Sequence, residues 1–243
     1  MHARAALVAL LLTMGLNHAW GEDLNERAGP SLKDFPVDFL VYSVTWQPSF
    51  CLMNPKMPGC NSPPNAFLSH GIWPYSKSEG GASPITNRHP QFCEAPSGCT
   101  GKACVISDEE MNEIMTIPRL AKLVTSNPEG MFRHEWRKHG TCYGGTIKDY
   151  FSDLVSLRKV VSYDKEKLSK LIGTEASFTV IKDAFPKNTA FRCYQSEGKQ
   201  YLHEVFYLID RTGNPYILES PLQIGIACNK VPTLMPPGAP VDL

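Results

Sequence analysis

The pattern of apolar and polar positions predicts β-strands near both ends of the chain. Residues 38–46 (DFLVYSVTW) and 66–74 (AFLSHGIWP) are rich in Phe, Val, Ile and Trp, which favour the pleated surface of a sheet. Residues 189–194, 201–210 and 215–220 have a similar composition, and the last two are separated by Thr212-Gly213-Asn214, a typical turn. We therefore expect strands at these five places.

The middle of the chain shows helical periodicity instead. Residues 107–110 (SDEE) resemble a capping box that opens a helix, which Pro118 interrupts. Residues 146–161 and 164–172 follow as further helices, the latter ending at Gly173. Because strands and helices are grouped, without βαβ alternation, we predict an α+β fold: a single domain with a central antiparallel sheet, flanked by helices and stapled by disulfides.

The N-terminus has the features of a secretory signal peptide. Arg4 precedes an apolar run from Ala5 to Leu16, and small residues follow up to Gly21. The run is too short to span a bilayer, which disfavours the alternative of an uncleaved anchor. We expect a signal peptide over 1–21, a catalytic domain over 22–243, and a secreted or periplasmic protein without membrane contact.

Cysteine usage agrees with export. The chain has eight cysteines, an even number, and an oxidising compartment favours four disulfides. No Cys-x-x-Cys pair occurs, which disfavours a zinc ribbon. The spacings alone leave the pairing of these cysteines open.

The charge balance restricts how the protein could engage nucleic acid. The formal net charge is zero, and loss of Arg4 with the signal peptide would make it −1. Proteins that hold long nucleic acids by counterion release are usually basic. If this protein acts on nucleic acid, we expect a local cleft that engages a few nucleotides.

The most unusual stretch is HEWRKHGTC, residues 134–142. Asn127-Pro128 before it and Gly140 within it predict a short helix. At about 100° per residue, one helix face carries all four polar groups, which are His134, Glu135, Lys138 and His139. Phe132 and Trp136 lie on the arc that would face the core.

Two other interpretations of this stretch have to be weighed. His134-Glu135 begins the His-Glu-x-x-His zinc motif, but the second histidine comes one position too late and lies about 100° further around the helix. The stretch could also be an ordinary solvated face held by ion pairs along the helix. A further histidine, His70 in FLSHGIWPYS, favours chemistry, because it ends a predicted strand beside Trp73.

These residues together supply what metal-free cleavage of a phosphodiester needs. One neutral imidazole can accept a proton, one imidazolium can donate a proton to the leaving oxygen, and cations can neutralise the phosphoryl oxygens. Trp73 could offer a stacking surface for a base.

The stretches FLSHGIWP and FRHEWRKHGTC resemble the two active-site segments of the ribonuclease T2 family, in the same order, and the Trp46 to Cys51 stretch resembles a third feature of that family. The resemblance implies an α+β, metal-independent endoribonuclease that needs no cofactor. It implies that His139 is the general base on the ribose 2′-OH and that His70 is the general acid. His134 would hold the phosphate, while Glu135 and Lys138 stabilise the transition state.

The substrate implied by the resemblance is single-stranded RNA, cleaved through 2′,3′-cyclic phosphate ends by a monomer. The implied disulfide from the first motif's loop to the catalytic helix is Cys93–Cys142. Its companions would be Cys51–Cys60 and Cys193–Cys228, which leaves Cys99 and Cys104 as the fourth pair.

Two departures from the family pattern concern base recognition. Tyr75 follows the first motif where many members have an acidic residue, and Thr45 replaces a glutamine. A specific base preference therefore does not carry over, and we expect a broad one. The competing hypothesis is a disulfide-stapled binding or effector protein that keeps the fold without turnover; the intact set of catalytic residues favours the enzyme.

Overall fold

The computed structural model describes residues 37–77, 89–93, 102–124, 127–219, 221–229 and 231–240. The predicted signal peptide and Cys99 lie outside these residues. Within them, no helix is both long and apolar enough to cross a bilayer.

The described strands form one six-stranded sheet. Strands β1, β2, β5, β6 and β3 lie in the order β2-β1-β5-β6-β3, and β4 pairs with β5. All these pairings are antiparallel except β5 with β6. The strand bounds are β1 Phe39–Trp46, β2 Phe67–Tyr75, β3 Glu175–Ser177, β4 Thr189–Ser196, β5 Lys199–Ile209 and β6 Pro232–Leu234.

Helices cover the larger of the two apolar faces of this sheet. Their bounds are α1 Gln47–Met53, α2 Asp108–Met115, α3 Leu120–Leu123, α4 Pro128–Lys138, α5 Ile147–Ser156, α6 Lys165–Leu171 and α7 Phe178–Lys182. Short 3₁₀ turns occupy Lys102–Cys104, Gly140–Cys142 and Leu157–Val160. The predicted α+β architecture is confirmed.

The two faces of the sheet carry different cores, as the alternation of side chains along a strand requires. Leu40, Tyr42 and Val44 of β1 point into the main core beneath the helices, which includes Phe132 and Trp136 of α4. The opposite face carries a smaller cluster in which Phe39 and Val41 join Trp73, Tyr75 and Phe206. The functional residues described below lie on this second face.

Two β-bulges interrupt the pairing of β1 with β2 and of β4 with β5. Ser43 pairs with Gly71 whereas Val44 pairs with Ser69, so His70 is the extra residue of β2. Arg192 pairs with Glu204 whereas Cys193 pairs with Leu202, so His203 is the extra residue of β5. Because a bulge redirects side chains locally, both histidines lie close to the carboxylate of Glu204.

Several local predictions hold. The capping box at Ser107 and Glu110 forms, and α2 ends before Pro118. The predicted helix 146–161 is α5 followed by a 3₁₀ turn. Three of the implied disulfides are present: Cys51–Cys60, Cys93–Cys142 and Cys193–Cys228. The pairing of Cys99 with Cys104 stays a prediction.

The predicted strand 215–220 is wrong. Pro215 forms only an isolated bridge with Ile209, and Tyr216 donates a single backbone bond to Leu208 at 2.9 Å. Proline has no backbone N–H to donate, and β5 is already paired with β1 up to Ile209 and with β4 up to Tyr207, so little of β5 is left for a further strand. The segment packs instead through Tyr216, whose ring stacks on Phe39 at 4.8 Å.

Candidate active site

The two predicted motifs meet where α4 crosses the edge strand β2. Gly71 is what permits this close approach, because a Cβ atom there would lie 1.9 Å from Oε2 of Glu135 and 2.9 Å from Nε1 of Trp73. Phe132 and Trp136 hold the other side of α4 in the main core. Phe132 and Trp136 face the core, as the sequence predicts, and the structure adds that Glu135 on the polar face meets Gly71 and Trp73 of β2.

His70 lies between two carboxylates. Its Nδ1 is 2.5 Å from Oε1 of Glu204, and its Nε2 is 3.2 Å from Oε1 of Glu135. Its side chain is 29% exposed, so part of the ring is accessible to solvent. Burial by itself lowers the pKa of His70, but the negative charges of Glu135 and Glu204 outweigh it and raise that pKa to about 10.

Glu135 is the central anion of the site and is completely buried. Trp73 donates its Nε1–H to Oε2 at 2.9 Å, and Nε2 of His139 lies 4.0 Å from the same oxygen. Nε2 of His134 lies 3.9 Å from Oε1. Burial would raise the pKa of Glu135, but the charges of His70 and His134 and the bond from Trp73 hold it below its ordinary value.

Trp73 is buried in the second core. Its side chain is 1% exposed, with Phe206 on one side and His139 stacked on it at 4.8 Å. Its ring is therefore covered in this conformation, and a role as a stacking surface for a base stays a prediction. Burial in the second core makes Trp73 a support that orients Glu135 and His139.

His139 is almost completely covered, and burial is the largest influence on it. Burial, followed by the nearby charges of His89, Lys138 and His134, holds the pKa of His139 well below 6.5. His89 stacks on Tyr75 at 4.3 Å and lies 4.9 Å from His139. His70 and His139 thus have opposite protonation preferences around one carboxylate.

The remaining two predicted residues lie at the open side of the cleft. The side chain of His134 is 48% exposed, and Lys138 is partly exposed on the next turn of α4. Both lie on the face that carries Glu135, where a bound anion would meet them. Among the described residues, no group of three or more His, Cys, Asp or Glu side chains has an arrangement that could hold a metal ion.

A family model gives this geometry its context. The model of the Ribonuclease T2 family matches residues 37–220. The chain belongs to the Ribonuclease T2 family. The resemblance stated from the two motifs is confirmed, and with it the general class of ribonuclease.

Individual relatives of the Ribonuclease T2 family are distant. Ribonuclease 1 of Arabidopsis thaliana is 26% identical over 202 residues, which cover 78% of this chain and 82% of that protein. The structure of human RNase T2 superposes with a TM-score of 0.55 at 20% identity, covering 83% of this chain and 99% of that chain. A variant of bitter gourd RNase MC1 in complex with 5′-UMP gives 0.52 at 20% identity, covering 73% and 90%. At these identities the structures show the fold alone.

The T2 motifs do not contain every residue of the site. Glu204 on β5 and Arg192 on β4 complete the surroundings of His70, and the sequence interpretation missed both. A signal was present: Glu204 directly precedes the apolar run VFYLI in the same strand, and a carboxylate inside a buried strand needs a partner. His89 was missed as well, since an isolated histidine in a loop carries no pattern.

Proposed function

We propose that this protein is an exported, metal-independent endoribonuclease that cleaves single-stranded RNA by transesterification at the 2′-OH, through 2′,3′-cyclic phosphate ends. The observation that carries the proposal is the pair of histidines with opposite protonation preferences around Glu135. His70 is held as an imidazolium and His139 as a neutral imidazole at the same pH. Internal transesterification needs one acid and one base of this kind.

His139 acts as the base. It removes the proton from the ribose 2′-OH as that oxygen attacks phosphorus and forms the cyclic phosphate. The side chain of His139 is 1% exposed without RNA, and its Nδ1 makes no hydrogen bond among the described residues. Catalytic contacts often tighten only in the complex, and we expect RNA to displace the side chains, His89 among them, that cover this ring.

His70 acts as the acid. It gives its proton to the departing 5′-oxygen as the P–O5′ bond breaks. One proton therefore moves from the 2′-OH to His139, and one moves from His70 to the 5′-oxygen. The side chain of His70 is 29% exposed and its Nε2 lies 3.2 Å from Oε1 of Glu135, so we expect the bound RNA to draw this proton away from Glu135. His134 lies at an exposed position of α4 and holds the phosphate, while Glu135 and Lys138 stabilise the pentacovalent transition state.

Broad base preference follows from the two positions that depart from the family pattern. Tyr75 lacks the carboxylate that many family members carry at this position, and its side chain is buried in the second core with Phe39 and Trp73. Thr45 donates its hydroxyl to Glu204 at 3.0 Å and is likewise occupied. With both positions engaged inside the protein, we expect cleavage after all four bases.

Export and a monomeric state complete the proposal. Disulfides persist in oxidising compartments, and three are present in the described residues. All the proposed catalytic groups come from one chain, so one copy is sufficient for activity.

The test uses a defined oligoribonucleotide and mass spectrometry of its products. We expect new 3′ ends that carry 2′,3′-cyclic phosphate, full activity in EDTA, and no cleavage of the matching DNA. A single 2′-deoxy substitution should abolish cleavage at that position only, since the nucleophile is lost there. Binding of the RNA without any turnover would favour the binding or effector hypothesis instead.

A further inference from the structure

A row of polar residues crosses the second face of the sheet beneath His70. Thr45 of β1 pairs with Glu204 of β5, and Glu204 pairs with Arg192 of β4. The side chain of Glu204 is completely buried, in a strand that is otherwise largely apolar. Burying a carboxylate is unfavourable unless hydrogen bonds and an opposite charge compensate it. Hydrophobic packing alone therefore does not explain a buried carboxylate at this position.

The carboxylate of Glu204 is held from both sides. Oε1 accepts the hydroxyl hydrogen of Thr45 at 3.0 Å, and Oε2 accepts a hydrogen bond from the guanidinium of Arg192. The side chain of Arg192 is itself 13% exposed and lies over the ring of Phe206 at 5.8 Å. Glu204 is therefore fixed in position before any substrate arrives.

Oε1 of Glu204 also lies 2.5 Å from Nδ1 of His70, within hydrogen-bond distance. The hydrogen bond made by one ring nitrogen of a histidine decides the role of the other nitrogen. In the imidazolium, Nδ1–H is donated to Glu204 and Nε2–H is directed toward Glu135; loss of the Nε2 proton then leaves the neutral tautomer with its hydrogen on Nδ1. A carboxylate behind a catalytic histidine commonly orients the ring and stabilises its charged form in this way.

We propose that Glu204, fixed by Arg192 and Thr45, is a positioning residue that orients the general acid His70 and keeps it protonated. This inference rests on the proposed function, because the need for an imidazolium comes from the reaction. Glu204 acts through His70 and does not touch the substrate. Glu204 and Arg192 lie outside both family motifs, on β5 and β4.

Several other charged or titratable groups surround His70. Glu135, the other anion, stays in place when Glu204 is changed and will still raise the pKa of His70 in part. On β5, burial first and then the charge of Arg192 lower the pKa of His203 to about 4 against the opposing pull of Glu204, so His203 is neutral across the working range. The remaining neighbours are cationic or neutral groups, namely His134, Lys138 and His139 on α4, His89, and Arg192 on β4.

The experiment measures the titration of the His70 imidazole by NMR in the wild-type protein and in two variants. Glu204→Gln keeps the shape of the side chain and removes its charge, so the pKa of His70 should fall by about one pH unit or more. Arg192→Met removes a cation and leaves the anion, so the pKa of His70 should rise or stay. Glu113→Gln, on the exposed surface of α2, is the matched control and should change nothing.

Opposite responses of the two variants distinguish positioning from general packing. If Glu204→Gln and Arg192→Met lower the pKa of His70 equally, or neither changes it while circular dichroism shows native folds, the inference is overturned. Kinetics supply a second readout. The loss in Glu204→Gln should fall on kcat with little change in KM, and the alkaline limb of its pH profile should move to lower pH.

The same data separate this inference from the proposed function. A wild-type protein that does not cleave RNA would contradict the proposed function, yet the His70 titration would still report on Glu204. An active wild-type enzyme whose His70 titrates unchanged in Glu204→Gln would leave the ribonuclease intact and remove Glu204 from its mechanism.

Discussion

Replacement of Gly71 by Ala tests how closely α4 must approach β2. The added methyl would lie 1.9 Å from Oε2 of Glu135 and 2.8 Å from its Cδ, well inside contact distance. Glu135 cannot retreat into solvent, because it is completely buried and bonded to Trp73. The helix or the carboxylate must therefore shift.

The cost has two parts. Overpacking a core position costs about 1–3 kcal/mol, and a lost hydrogen bond to a charged group costs about 1.5–3 kcal/mol. The sum, about 2.5–6 kcal/mol, corresponds to a fall in Tm of roughly 5–25 °C for a domain of this size. Activity should fall by about 100-fold or more, because displacement of catalytic groups by about 1 Å has effects of that order.

The assay is a thermal melt by circular dichroism together with RNA cleavage below the melting range. Gly145→Ala is the matched control: Gly145 is exposed, and the nearest contact of the added Cβ would be Cβ of Asp149 at 3.3 Å. We expect the control to stay within about 0.5 kcal/mol of the wild type, as surface substitutions usually do. A Gly71→Ala protein with unchanged Tm and unchanged activity would refute the close approach of Glu135 to β2.

Three further predictions follow from the same geometry. His70→Ala and His139→Ala should each slow RNA cleavage by about 10²–10⁴. On a nucleoside 3′-phosphate ester of nitrophenol, only His70→Ala should recover activity, because the nitrophenol leaving group needs no proton. Equal recovery of both variants would contradict the assigned roles. The kcat/KM profile should be flat over a wide range, falling on the acid side where His139 gains a proton, well below 6.5, and on the alkaline side as His70 loses its proton near pH 10; a narrow maximum near pH 6.5 would contradict it. Replacing Cys93 and Cys142 by Ser should lower the free energy of unfolding by about 4 kcal/mol in denaturant titrations, because this disulfide closes a loop with a sequence separation of 49. The same replacement of Cys51 and Cys60, with a separation of 9, should cost about 3 kcal/mol. A smaller loss for the longer loop would indicate that Cys93–Cys142 does not constrain the unfolded chain.

The parts of the site that depend on local periodicity could be predicted from the sequence. The polar face of α4 follows from helix geometry, and the buried positions of Phe132 and Trp136 follow from the same count. The two motifs could be linked by resemblance to a family. Their contact at Gly71 could be explained only with the structure, because it depends on how α4 crosses the sheet.

The parts that depend on pairing between distant strands could not be predicted. Trp73 is buried because its face of β2 packs on Phe206, a residue 133 positions away, and no local pattern shows which strand lies beneath. Glu204 reaches His70 only because β1 lies between β2 and β5 and because His70 is the bulge residue. Position 215 shows the opposite failure, in which apolar composition outweighed a proline that cannot donate to a ladder.

The most direct test of the central claim is the protonation state of the two catalytic histidines in the resting protein. NMR of the imidazole nitrogens at pH 7, with His70→Ala and His139→Ala to assign the signals, reads both states in one sample. The account predicts a charged His70 and a neutral His139. A neutral His70 beside a charged His139, or two histidines in the same state, would contradict it.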